Sequence, residues 1–403
     1  MNSIYLDYNS TTPIDPAVAA AMADCHAAGY VNPASQHQPG QRARTELELI
    51  RSSIVGQLGG SCTGMDTDTL IFTSGGTESN NLAVTGLALA NCDVAKRVIL
   101  SPVEHPSVLG VRVYLKAHGF EVATIPVDRD GVCKLDALKA LLAKPASLVS
   151  VQLANHETGV LQPVHEIAKL CRDHGTLIHT DAVQAVGKIP VDFRQLGVDA
   201  LTLTAHKFHG PRGIGGLLER HGVSLQPMLF GGFQQMGQRP GTEDVALVTG
   251  MKVALDLYRD DPDRIHEHLG SLRNRLRDQL LAEIPDVAAD IVINGGSAEK
   301  VPQTLNVSLL GVDRQAFLMA ADMNGFAIST GSACASGSSE PSPVLMAMQA
   351  DQATVEGAIR VSVGRTTTVA EVDSAAACFI RIFRHLSGKN KASQPTAAGR
   401  AEG

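Results

Sequence analysis

The chain has no tryptophan, and aromatic residues make up only 4% of its 403 positions. A surface that stacks nucleic-acid bases needs more rings than that. Basic charge is also short, since 34 Lys and Arg stand against 41 Asp and Glu, for a net charge of −7. Phosphate binding relies on clustered cations, so a dedicated nucleic-acid binder is disfavoured. The seven cysteines, at 25, 62, 92, 133, 171, 334 and 378, are odd in number and form no CxxC pair. Such spacing makes neither a disulfide framework nor a standard zinc site, and it fits free thiols in a reducing compartment. Long apolar runs are missing as well. The stretch Ala17 to Ala23 has seven residues, against about 20 for a membrane span. Met1 to Asp7 contain no basic segment leading into an apolar one. No signal peptide is therefore expected, and the expected location is the cytoplasm.

What is present is core material. Apolar residues are 44% and charged residues 19%, which excludes a disordered chain, and the length suggests two to three domains. Short apolar runs alternate with helix-like stretches. Strands are expected at Leu70–Thr73, Arg97–Ser101, Glu121–Pro126, Ser147–Leu153, Thr176–Thr180, Ala200–Thr204 and Gly216–Leu218. Helices are expected at Ser79–Ala90, Pro106–His118, Leu135–Leu142 and Val164–His174. This alternation predicts an α/β fold with a mostly parallel sheet. After about residue 255 the pattern becomes that of a smaller α+β unit. It begins with one long charged helix over Tyr258–Ile284, and strands follow at Ile291–Asn294, Thr304–Leu309, Phe326–Ser329 and Ile359–Val363. From Gly388 the chain is polar and aperiodic, and residues 388–403 are expected to be a disordered tail.

Ligands of parallel sheets sit beyond the carboxyl ends of the strands, so the residues there are the candidates. Thr73-Ser74-Gly75-Gly76-Thr77 leads from a strand into a helix, an arrangement that offers free N–H groups to an anion. Alone it would be an ordinary capped turn, and it lacks the ending of a Walker P-loop. His105 follows another strand, Asn155-His156-Glu157 ends a third and Asp181 ends a fourth. Burying that Asp implies a partner for it. Lys207 comes directly after the strand ending at Thr204. A desolvated lysine in such a place can form Schiff bases. His206 and His209 have no third ligand nearby, which sets metal aside. Cys334 lies in a run of Gly, Ser and Ala, an exposed setting unlike that of a packed core cysteine. Taken together, a Lys for covalent attachment, an acid for a ring nitrogen and a Gly-Thr helix start for a phosphate specify pyridoxal 5'-phosphate.

With those residues in place, the chain resembles the cysteine desulfurases of the NifS/IscS type, class V of the fold-type I pyridoxal-phosphate enzymes. The matching stretches are Tyr5-Leu6-Asp7 with Thr11-Thr12-Pro13, Asn32-Pro33-Ala34-Ser35, Thr73 to Asn81, Glu104-His105, Asp181-Ala182-Val183-Gln184, His206-Lys207 with Gly210-Pro211-Arg212-Gly213, Arg239 to Glu243, Gly331-Ser332-Ala333-Cys334, and Ile359-Arg360-Val361-Ser362. The resemblance implies that Lys207 carries the cofactor and later moves the Cα proton. It implies that Asp181 pairs with the ring nitrogen, that His105 stacks on the ring and can act in acid–base steps, and that Gln184 meets the phenolic oxygen. Gly76, Thr77, Thr204 and His206 would hold the phosphate. Thr242 would reach the phosphate of a neighbouring subunit, which implies a homodimer. Arg360 would grip the substrate carboxylate, and Asn32 would lie near the substrate. Where the family usually has an Asn contacting the cofactor, this chain has His156, whose imidazole can still donate a hydrogen bond.

The implied activity converts L-cysteine to L-alanine and leaves a persulfide on Cys334 for a sulfur-acceptor protein, such as an iron–sulfur scaffold or a thiolation enzyme. The implied division is a large cofactor-binding domain over 15–255 and a smaller one over 1–14 and 256–387 that carries the Cys334 loop. Selenocysteine lyase is the nearest alternative on the same fold. A class V aminotransferase or kynureninase needs no Cys in a Gly-Ser-rich loop. A catalytically idle sulfur-relay scaffold would not need Lys207, Asp181 and His105 together.

Overall fold

The computed structural model describes residues 3–284, 290–331 and 340–388. Seven strands form the central sheet: β2 (Thr69–Thr73), β3 (Arg97–Leu100), β4 (Glu121–Thr124), β5 (Leu148–Ser150), β6 (Leu177–Asp181), β7 (Ala200–Thr204) and β8 (Gly215–Glu219). Their order is β2-β8-β7-β6-β5-β3-β4, and β8 alone runs against its neighbours. The seven strands expected from apolar runs are all there, to within a few residues at their ends.

Apart from the exposed-to-half-buried edge strand β4, both faces of this sheet are buried, which explains why its strands read as continuous apolar runs. Successive side chains point to opposite faces. Leu70, Phe72, Ile99, Val149, Ile178 and Leu201 pack on one side, with Leu47, Ile54, Ile167 and Met251 from helices. Ile71, Val98, Leu100, Leu148 and Leu217 pack on the other, with Leu82, Leu87, Val108 and Leu115.

A second sheet is antiparallel, in the order β12 (Ala358–Ser362), β10 (Thr304–Leu309), β9 (Ile291–Ile293). Leu305, Val307, Ile359 and Val361 of this sheet share a core with Leu272, Leu276, Phe317, Phe379 and Phe383. A short β1 (Ile4–Tyr5), for which the sequence carries no signal, pairs in parallel with β11 (Phe326–Ala327). The segment after it then crosses to the central sheet, where Thr12 N–H donates to the His206 carbonyl at 2.9 Å and Asp15 N–H to that of His209 at 3.0 Å.

The long charged helix expected over Tyr258–Ile284 is found as Pro262–Glu283, and Tyr258 and Arg259 end the preceding helix, Val245–Arg259. Pro262 has no N–H to continue a helix and its ring opposes the preceding turn. Asp261 accepts from Arg264 N–H and caps the new start. No leucine falls between Leu257 and Leu269, and Asp260-Asp261-Pro262 is itself a helix-start signal inside the expected range. No helix among the described residues is long and apolar enough to cross a membrane.

Candidate active site

The carboxyl ends of β2, β5, β6 and β7, with the loop after β3, surround a cavity of about 250 Å3. Gly76, Thr77, His105, His156, Asp181, Gln184, Thr204, His206 and Lys207 all line it. Nine candidates from five separate stretches of sequence therefore meet in one place.

Lys207 sits in a short 3-10 turn directly after β7. Its Nζ donates to the carbonyls of Asn9 at 2.6 Å and Ser10 at 2.7 Å. Those oxygens belong to the N-terminal segment and orient the amine at the cavity wall. Asp181 ends β6 and is buried. Its Oδ1 accepts from Val183 N–H at 2.9 Å and its Oδ2 from Asn80 Nδ2 at 2.6 Å. The same Asn80 nitrogen donates to Ser107 Oγ at 2.9 Å. Ser107 in turn faces His105 Nδ1, with its Oγ at 2.8 Å and its N–H donating at 3.1 Å. An Nδ1 that accepts from a backbone N–H leaves the proton of a neutral ring on Nε2. Burial lowers the His105 pKa, with Asp181 opposing that shift. His156 lies edge-on to it, ring centroids 5.2 Å apart. Burial holds the His156 imidazole well below the ordinary range, and its Nδ1 is buried without a partner.

The end of the cavity at Gly76, Thr204 and His206 is built by close approach. A Cβ on Gly76 would stand 3.1 Å from Val183 Cγ2 and 3.5 Å from Thr204 Cγ2, so any larger residue would fill the cradle. The helix that begins at Gly76 has no side-chain cap, and Gly76 and Thr77 of its first turn line this end of the cavity. Thr204 Oγ1 donates to the Ile214 carbonyl at 2.9 Å, which leaves it only acceptor capacity. His206 Nδ1 lies 3.1 Å from Thr11 Oγ1, and burial pushes its imidazole down to about 4. An amine, a firmly held carboxylate, a neutral imidazole and a glycine cradle beside a helix start together fit pyridoxal phosphate.

Three expected residues lie off this wall. Arg360, on β12, is buried behind it. It donates through Nη1 to the His156 carbonyl at 2.9 Å, and through Nη2 to Asp7 Oδ1 at 2.7 Å and Ser10 Oγ at 2.9 Å. Its Nε is buried with no partner. Asn32 and Thr242 share a different cavity, of about 360 Å3, with Cys25 and Tyr30. Cys334 lies outside the described residues.

Sequence reasoning gave no role to Asn80, Lys188, Asp7 or the carbonyls of Asn9 and Ser10. Asn80 and Asp7 stood within matched stretches. A backbone carbonyl has no sequence signature at all.

The model of the family described as aminotransferase class-V matches residues 4–374. The chain belongs to this family. Class V aminotransferases depend on pyridoxal phosphate, in accord with the chemistry of the cavity. Among the family's members, the chain is 39% identical over 383 residues to a protein named cysteine desulfurase IscS from Dictyoglomus turgidum, covering 95% of either chain. It is 39% identical over 373 residues to a cysteine desulfurase of Nostoc sp., covering 93% of this chain and 91% of that one. A NifS-like protein from Rickettsia africae superposes with a TM-score of 0.84 at 30% identity, over 96% of this chain and all of the other. The class V, fold-type I architecture expected from the sequence is thus the one found.

Proposed function

We propose that this chain is a cysteine desulfurase that takes sulfur from L-cysteine, releases L-alanine and hands the sulfur on from Cys334. The observation that carries the reading is the meeting of Lys207, Asp181, His105 and the Gly76–Thr77 turn in one cavity, in a chain whose relatives are named for this activity. Bound there, pyridoxal phosphate supplies an electron sink for the carbon bearing the substrate's amino group.

Lys207 would hold the cofactor through Nζ and, once freed by the arriving amino acid, would accept the Cα proton there. Asp181, fixed by Asn80 and Val183, keeps a proton on the ring nitrogen through its negative charge. His105, neutral and oriented by Ser107, would stack on the ring. Gln184 and His156 would meet the phenolic oxygen, with His156 taking the place of the usual Asn. Gly76, Thr77 and His206 hold the phosphate, and Thr204 joins them only if its hydroxyl turns from Ile214. Arg360 binds the substrate carboxylate, and Asn32 lies near the substrate in the assembled enzyme. Cys334 attacks as thiolate, the reactive form. Its sulfur bonds to the substrate sulfur as the substrate C–S bond breaks, the electron pair stays with the carbon skeleton, Cβ takes up a proton, Lys207 would return the proton to Cα, and alanine leaves.

The division of labour puts cofactor binding in 15–255, and the Cys334 loop in the unit formed by 1–14 and 256–387. Two copies assemble, each lending Thr242 to the other's phosphate. The sulfur goes to an acceptor protein of iron–sulfur assembly or thio-modification, in the cytoplasm.

The deciding experiment is alanine formation from L-cysteine by the cofactor-loaded enzyme beside Cys334→Ser. The wild type is expected to form alanine, and the variant to bind cofactor but form neither alanine nor persulfide. A Cys334→Ser enzyme with full activity would overturn the assignment, and faster turnover of L-selenocysteine would favour a lyase for that substrate.

A further inference from the structure

Behind the cavity lies a second buried amine that the reaction above does not use. Lys188 is 5% exposed, and its Nζ donates to Gln184 Oε1 at 2.8 Å. The other end of that amide is also fixed, because Gln184 Nε2 donates to the Asn9 carbonyl at 2.9 Å. The same carbonyl accepts from Lys207 Nζ at 2.6 Å. Two lysines, one carbonyl and one amide thus form a single hydrogen-bonded chain leading from the cavity into the interior.

A glutamine amide has nearly the same shape when its oxygen and nitrogen are exchanged, so only its partners decide which end faces where. The Asn9 carbonyl can only accept, and it therefore demands the NH2 end. An ammonium can only donate, so a charged Lys188 demands the oxygen end; a neutral amine can also accept, but with the NH2 end turned to the carbonyl it donates to the oxygen that remains. Both contacts fit one orientation. In that orientation the second N–H of Gln184 is the group left over for the cavity, which Gln184 lines.

Keeping an amine in the interior is costly. Burial, and after it the charge of Lys207, pushes the Lys188 ammonium well below the ordinary lysine range. Simple packing at this position would be served as well by an apolar side chain. We propose that Lys188 is a positioning residue that locks Gln184 with its N–H directed at the phenolic oxygen of the cofactor. The proposal rests on the reading of Gln184 as a cofactor neighbour.

The test compares wild type, Lys188→Met, Gln184→Ala and the double variant as holoenzymes. Two quantities are read: the position of the bound cofactor's absorbance band, and its rate of loss on dialysis. Lys188→Met is expected to shift the band and to release cofactor roughly tenfold faster, the scale of one lost hydrogen bond to a charged group. The double variant is expected to be no worse than Gln184→Ala alone, because Lys188 acts through Gln184. Independent, multiplying effects would overturn the proposal. So would a Lys188→Met enzyme with the wild-type band, even if its melting temperature fell, since a packing role lowers stability without moving the band. If Gln184→Ala matches wild type in both readouts, the reading of Gln184 falls and the proposal with it. If Gln184→Ala is impaired but Lys188→Met is not, only the Lys188 proposal falls. Should Lys188→Met fail to fold, Lys188→Gln carries the same test. It keeps a donor on a shorter side chain and is expected to lie between Met and wild type.

Discussion

Arg360 shows how much of a residue's role depends on partners far away in the chain. Its identity after Ile359 carried the expectation of a carboxylate fork. What the sequence could not convey is that Asp7, 353 positions earlier, holds the guanidinium at 2.7 Å, or that Nε is left buried and unpaired. Leaving a buried donor unmade costs about 1–3 kcal/mol, so a ligand that satisfies it gains accordingly. A substrate carboxylate that exchanges with Asp7 would do so. Arg360→Lys keeps the charge but loses the planar fork. Steady-state kinetics with L-cysteine should show KM raised about tenfold or more, with kcat affected less. An unchanged KM would place the carboxylate elsewhere.

The elements were largely legible, for a physical reason. Strands buried on both faces must be apolar throughout, and the glycine and polar breaks at their ends are where ligands bind, so strands and site residues announced themselves together. The break before Pro262 is marked in the sequence by Asp260-Asp261-Pro262, a helix-start signal, whereas the two-residue β1 is too short to show any period. Close approach between elements is equally silent. Gly215, at the start of β8, has no room for a Cβ, which would lie 2.7 Å from Gly75 Cα and 2.8 Å from the Gly75 oxygen. The strand thereby sets the height of the turn that leads to Gly76 and Thr77. Gly215→Ala must push this turn toward the cavity, at a cost of about 1–3 kcal/mol for overpacking. The expected result is a cofactor affinity lowered by roughly tenfold or more in a titration of the apoenzyme, with the central sheet intact by circular dichroism. Lowered melting temperature with wild-type affinity would show that the strain stays outside the cradle.

At the scale of the whole molecule, one segment stands out for its exposed apolar side chains. Phe230 is 83% exposed and Phe233 85%, and Leu229 and Met236 are exposed beside them. Gln235 and Met236 hold positive φ angles of 49° and 59°, a conformation that persists only where the surroundings enforce it. The enforcement is visible. The Gln235 amide accepts from Phe72 N–H at 2.7 Å and donates to the Phe72 carbonyl at 2.9 Å. It thus closes the outer edge of β2 as another strand would and keeps that edge from pairing with foreign chains. The loop is pinned in place while its rings face outward, and contiguous exposed apolar surface of this kind marks an interface. Thr242, a few residues further on, lies in the cavity with Asn32 rather than in the cavity with Lys207. Both features are accounted for if a second copy covers the loop and receives Thr242 at its own phosphate site. Sedimentation of the wild type at micromolar concentration should give a dimer, and Phe230→Asp combined with Phe233→Asp a monomer that loses cofactor faster on dialysis. A wild-type monomer with full cofactor, or a monomeric variant that retains it equally well, would remove Thr242 from the site and leave each chain's cavity complete on its own.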